Sequence, residues 1–167
     1  MTDLDAVVYT SKHGHTARYA GMLGKILDRP VLTLEDALSS PPGKRILYLG
    51  WVRASSIVGY KKAAKQFEIP VVCGVGLAET GTQLEEVRKA SAVPEGVQLY
   101  TLQGGMDRSV LKGMDKFIIS LLEKALASKK NPSEGDRKTL ELLRSDRDYV
   151  SLIHLAALLE GIGAEKK

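Results

Sequence analysis

Thr10-Ser11-Lys12-His13-Gly14-His15-Thr16 gathers hydroxyls, a glycine and three basic side chains in one short stretch. Placed between a strand and a helix, such a stretch can hold an anion. The free N–H groups of a first helical turn and the helix dipole both favour negative charge there. Gly14 permits a close backbone approach, and Ser11 and Thr16 can donate hydroxyl bonds. Lys12, His13 and His15 add positive potential. The plain alternative is an N-cap and turn with nothing bound.

Two further stretches have chemical capacity. Gly50-Trp51-Val52-Arg53-Ala54-Ser55-Ser56 contains the only tryptophan of the chain. A flat ligand can stack on Trp51, and Arg53 can bond a ring carbonyl or neutralise an anionic ring. A core tryptophan beside a solvated arginine has the same sequence. In Gly74-Val75-Gly76-Leu77-Ala78-Glu79, two glycines let main-chain groups reach the edge of a planar ligand. An ordinary turn reads the same way. Cys73, the sole cysteine, reads as a small buried hydrophobe, and His13, His15 and His154 make no metal constellation.

The elements that must position these stretches follow from periodicity. Leu4–Tyr9, Val31–Leu34, Arg45–Gly50, Pro70–Gly74 and Val97–Leu102 read as strands. Helical spacing fills Thr16–Leu27, Ile57–Phe67 and Thr82–Ala90, the last with Thr82 and Glu85 in capping-box register. Glu35–Leu38 is at most one turn. Ser109–Leu126 reads as a long amphipathic helix with its stripe at Val110, Met114, Phe117, Leu121 and Ala125. Strands separated by helices predict right-handed crossovers and a parallel sheet. The expected fold is three-layer α/β, doubly wound, with five strands in the order 2-1-3-4-5. That order brings residues 10–16, 50–56 and 74–80 to one crevice. Lys129–Asp148 holds six basic and five acidic residues and reads as a surface extension with room for one short helix. Tyr149–Ile162 reads as a helix docked on the main domain, so residues 1–128 form the domain and 129–167 its charged extension.

Composition narrows the function classes. With 167 residues, 44% hydrophobic and 26% charged, the chain suits one globular domain. A net charge of +4 and a pI near 9.1 allow weak attraction to anionic ligands, with at most peripheral membrane contact and no nucleic acid. One cysteine forbids an internal disulfide. Without a signal-like N-terminus or a spanning apolar run, the expected location is the cytoplasm. There is no G-x-x-x-x-G-K-[ST], which argues against a P-loop nucleotidase, and no G-x-G-x-x-G after the first strand, which argues against a dinucleotide fold. Gly50 and Trp51 stand where a receiver domain needs an aspartate. These absences favour a mononucleotide with one terminal phosphate.

Taken together, the three stretches resemble the flavodoxin family. Ser11-Lys12-His13-Gly14-His15-Thr16 is similar to its [ST]-x-T-G-x-T phosphate loop, with His13 at the middle threonine. Gly74-Val75-Gly76 is similar to its G-x-G after the fourth strand, followed here by Leu77-Ala78-Glu79 rather than an acid and an aromatic. Within the family, Val52-Arg53, Gln103-Gly104-Gly105-Met106-Asp107 and Met114-Asp115-Lys116 resemble the menaquinone-dependent protoporphyrinogen oxidase type. The resemblance covers about residues 4–127; in the tail only Asp148-Tyr149 matches.

The resemblance implies FMN as cofactor, held by Thr10–Thr16, Trp51–Ser55, Gly74, Gly76 and Leu77. It implies flavin-dependent redox chemistry with a small-molecule acceptor, such as a quinone or porphyrinogen, or with a redox partner. Basic loops stabilise an anionic reduced flavin, which favours an oxidoreductase over a strongly reducing one-electron carrier. A fold module that no longer binds FMN is the third reading. Catalytic residues and oligomeric state stay open.

Overall fold

The computed structural model describes residues 1–164. Five parallel strands, β1 (Ala6–Thr10), β2 (Val31–Thr33), β3 (Arg45–Arg53), β5 (Glu68–Gly76) and β6 (Gln98–Gln103), lie in the order β2-β1-β3-β5-β6. A two-residue strand, β4 (Ser56–Ile57), turns back antiparallel on the end of β3. Counting the parallel strands alone, this is the expected 2-1-3-4-5 order of the flavodoxin-type doubly wound fold.

Alternation along the strands builds two cores. Leu47 and Leu49 of β3 join Tyr19 and Leu23 of α1 (His15–Leu27) on one face. Ile46 and Tyr48 join the other face, covered by α2 (Leu34–Leu38), the one-turn α3 (Tyr60–Ala63) and α4 (Leu84–Ser91). Tyr48 is fully buried there, and its hydroxyl donates to the Val58 carbonyl at 2.9 Å. The Thr10 hydroxyl lies 2.7 Å from the same oxygen. Burial pushes the Tyr48 phenol up to about 12.

Several expected elements change shape. β3 runs on to Arg53, and Ala54 and Ser55, both at positive φ (47° and 63°), make the two-residue hairpin turn that leads into β4. The helix expected over 57–67 therefore starts late, at Tyr60, and lasts a single turn. The capping box expected at Thr82 does not form. The Thr82 hydroxyl donates to the Glu79 carbonyl at 2.6 Å, and Gln83 at φ 57° opens α4. Thr101 of β6 donates to the Thr82 carbonyl at 2.7 Å, which fixes Thr82 to the sheet instead.

The largest difference lies after β6. A 3-10 turn (Arg108–Val110) is followed by extended backbone at Leu111 and Lys112, and only then by α5 (Gly113–Ala127). No residue of α5 is buried, and the expected inward stripe of Met114, Phe117, Leu121 and Ala125 is exposed. The Val110 side chain lies outside the described residues. The sheet face beside α1 is instead filled by Leu155, Leu158 and Ile162, from a 3-10 turn (Leu152–Leu155) and α7 (Ala156–Gly161), within the segment expected to dock there. Between them α6 (Glu134–Ser145) has a true capping box, Ser133 with Asp136. The C-terminal segment thus completes the layer, while α5 and α6 form a helical pair over the end of the sheet.

Candidate functional site

A cavity of about 290 Å³ opens at the carboxyl ends of β1, β3, β5 and β6. It lies at the switch point where the strand order reverses, the usual ligand crevice of an open α/β sheet. The volume is at the small end of ligand pockets.

The first wall is the loop from β1 into α1. Gly14 is the N-cap, at φ 91°, and no side chain caps the helix. Its first-turn N–H groups therefore remain available to an anion. The Ser11 hydroxyl accepts the Gly14 N–H at 3.2 Å, which holds the loop closed. Ser11, Lys12, His13, His15 and Thr16 all line the cavity; Gly14 does not, and an added Cβ there would meet nothing within 4 Å. Thr10 does not join them, because its side chain points to the opposite face, at Tyr48.

The second wall is the end of β3 and its hairpin. Pleating turns Trp51 and Arg53 to the α1 face of the sheet, and Trp51, Val52, Arg53 and Ala54 line the cavity. Ser55 lies outside it, in the turn. The third wall is the end of β5, where Val75, Gly76 and Leu77 contribute and Gly74 does not. A Cβ on Gly74 would sit 2.8 Å from Val52 Cγ2 and 3.2 Å from Ile57 Cγ1. Glycine is needed at that position to let the hairpin lie against the sheet, on the face away from the cavity.

The remaining walls were not among the predicted site residues. Gly104 and Gly105 follow β6, and Met106 and Asp107 continue past them. Gly105, at φ 139°, leaves no room for a side chain: a Cβ would fall 2.2 Å from the Arg147 carbonyl. The close approach allows the Gly105–Asp148 bridge, with Tyr149 N–H donating to Gly104 O at 2.8 Å. α5 supplies Asp115, Ile118, Ile119 and Leu122, and α6 supplies Leu143, so the helical pair roofs the crevice. The paired glycines after a strand and the Asp115 stretch were visible signals; the roof was not.

Charges around the cavity are mostly compensated. Lys12 pairs with Asp115, holding its carboxyl below the usual range, and the Lys12 ammonium lies 5.2 Å from the Trp51 ring centroid. Asp107 is also lowered, by bonds from the Ser109 hydroxyl and N–H. Burial pushes His15 below its ordinary value, against the opposing pull of Asp148. At Asp148 burial acts upward, but bonds from Arg18 and the Val150 N–H outweigh it. Arg53 forms no ion pair among the described residues, although its charge helps to lower the Asp115 carboxyl.

Behind the site, the buried Tyr19 hydroxyl donates to Gln103 O at 2.6 Å and lies 2.8 Å from His154 Nδ1. It joins the end of β6 to the C-terminal segment. Cys73 is buried in the core and its thiol is pushed up by desolvation. Among the described residues no group of three His, Cys, Asp or Glu could hold a metal ion, and no helix is long and apolar enough to cross a membrane. Comparison with family models, curated proteins and solved structures gave no match to this chain.

Proposed function

We propose that this crevice binds FMN and that the protein is a flavin-dependent oxidoreductase acting on a small acceptor such as a quinone or porphyrinogen. The observation that carries the reading is the uncapped N-terminus of α1 opening beside the only tryptophan. The donor set suits a terminal phosphate: first-turn N–H groups, the Ser11 and Thr16 hydroxyls and nearby His13 and His15. Trp51 offers a flat apolar wall for a ring, and Gly76 and Leu77 line the cavity beside it, their carbonyls accepting from the Gly104 N–H and Gln103 Nε2. Arg53 supplies positive charge on the ring side. FMN, when bound, supplies the redox chemistry, while the chain binds, orients and sets the local field.

Titrating the purified chain with FMN tests this directly. Trp51 fluorescence is expected to fall on binding, and Thr16→Ala and Gly14→Val to weaken binding while far-UV circular dichroism stays unchanged. Equal flavin affinity in both variants and wild type overturns the phosphate assignment.

A specific observation favours a second reading, a fold module without FMN. Lys12 covers the Trp51 ring and is tied to the roof through Asp115. A ring stacking on Trp51 needs that lysine to swing aside. Absence of any flavin binding at millimolar FMN decides for this second reading.

A further inference from the structure

α5 is apolar over more than half its circumference, yet only part of that arc faces protein. At 3.6 residues per turn, Asp115, Ile119 and Leu122 fall on the cavity side. Met114, Phe117 and Leu121 fall on the adjoining outer side, where they are 68%, 59% and 51% exposed. Ile118 and Leu122 belong to both, lining the cavity while staying 41% exposed. The outer ridge is therefore continuous with the cavity mouth.

Lys124 borders the ridge beside Phe117, and Lys112 and Lys130 flank the two ends of the helix, while Lys116 lies about 100° round from Phe117. Lys112, Lys116, Lys124 and Lys130 are exposed and form no ion pair among the described residues. The two acids of the helix are both neutralised, Asp115 by Lys12 and Glu123 by Arg108 and Arg144. An apolar ridge of Phe, Met and Leu bordered by free lysines matches an interfacial helix on an anionic bilayer, with rings and alkyl chains below the headgroups and ammonium groups among them. A second copy of the chain matches poorly. A two-fold contact through this face would set the same lysines against each other.

We propose that α5 docks on an anionic lipid surface and seats the cavity mouth against the headgroups. The proposal does not depend on the cofactor.

Co-sedimentation of the full chain with vesicles of phosphatidylcholine, alone or mixed with phosphatidylglycerol, tests it. Binding is expected to the mixed vesicles, to weaken with salt, and to be slight on the neutral ones. Phe117→Ser with Leu121→Ser removes the apolar anchor, and Lys112→Glu with Lys124→Glu reverses the border. Each pair is expected to weaken binding roughly tenfold or more. All four side chains are exposed, so circular dichroism should not change. No binding to the mixed vesicles overturns the proposal. So does loss of binding in the lysine pair alone, which would leave a charge contact without the helix face. A concentration-dependent dimer abolished by the serine pair, without vesicle binding, assigns the ridge to a second copy and also overturns it.

Discussion

Lys12 joins the two halves of the candidate site: its ammonium lies 5.2 Å from the Trp51 ring centroid and pairs with Asp115 of the roof. The loop from β1 into α1 and the helix that roofs the crevice therefore share one cation. An anion at the loop competes with Asp115 for that cation, which couples ligand binding to the hold on α5.

Asp115→Asn tests the coupling. Removing the carboxylate frees Lys12 for an anion and loosens the roof, so FMN affinity is expected to rise several-fold, read from Trp51 quenching. Both groups are partly exposed, so fold stability should change little. Unchanged or weaker affinity means the ion pair and the ligand do not compete.

The two glycines after β6 make a stability prediction. Gly105→Ala places a Cβ against the Arg147 carbonyl and forces φ 139° on a residue that resists it. The expected loss is about 2–3 kcal/mol, measured by urea unfolding. Gly14→Ala, where an added Cβ meets nothing, should cost less despite its own positive φ.

Burial of His15 gives a pH dependence with a definite sign. Its folded pKa lies below the free value of 6.5, so the unfolded chain takes up a proton first as pH falls. The contribution of His15 is present above that value and is lost as pH falls through the window down to the folded pKa. Urea midpoints from neutral to mildly acidic pH should decline less steeply in His15→Gln. An identical slope in both proteins would place the titration elsewhere.

The sheet was legible because its strands are short apolar runs separated by helical spacing, and the doubly wound order 2-1-3-4-5 fits five such strands with right-handed crossovers. Trp51 and Arg53 reached the crevice as expected, though as strand residues. The hairpin at Ala54-Ser55 was hidden, since nothing in those two residue types announces positive φ. The role of Gly74 was hidden for a related reason: it makes room for Val52 and Ile57, partners that only pairing reveals. α5 teaches a sharper lesson. Periodicity at Met114, Phe117 and Leu121 identifies an apolar face without saying what covers it. Leu155, Leu158 and Ile162, much later in the chain, took the place on the sheet.

Cys73 offers a probe of the core. It is fully buried, and desolvation pushes its thiol up, so it should resist a thiol reagent in the native state. Labelling is then expected to track global unfolding in urea. Rapid native labelling would mean that the centre of β5 opens locally.

The last prediction concerns redox poise and depends on FMN binding. Lys12 and Arg53 both line the crevice, but only Lys12 is paired with a carboxylate. Its charge is largely cancelled by Asp115, so Arg53 should dominate the field at the ring. One cation about 6 Å from an anion, at an effective dielectric of ~20, contributes roughly 3 kcal/mol. For a one-electron couple that is on the order of 100 mV upward, before solvent and salt reduce it. Arg53→Glu should therefore lower the potential of the bound flavin by on the order of 100 mV or more. Lys12→Glu should act mainly on phosphate affinity and shift the potential less. Spectroelectrochemical titration of the two reconstituted variants separates them. A potential unmoved by the arginine reversal would mean that Arg53 points away from the ring and that the basic loops do not raise the flavin's potential above that of a low-potential carrier.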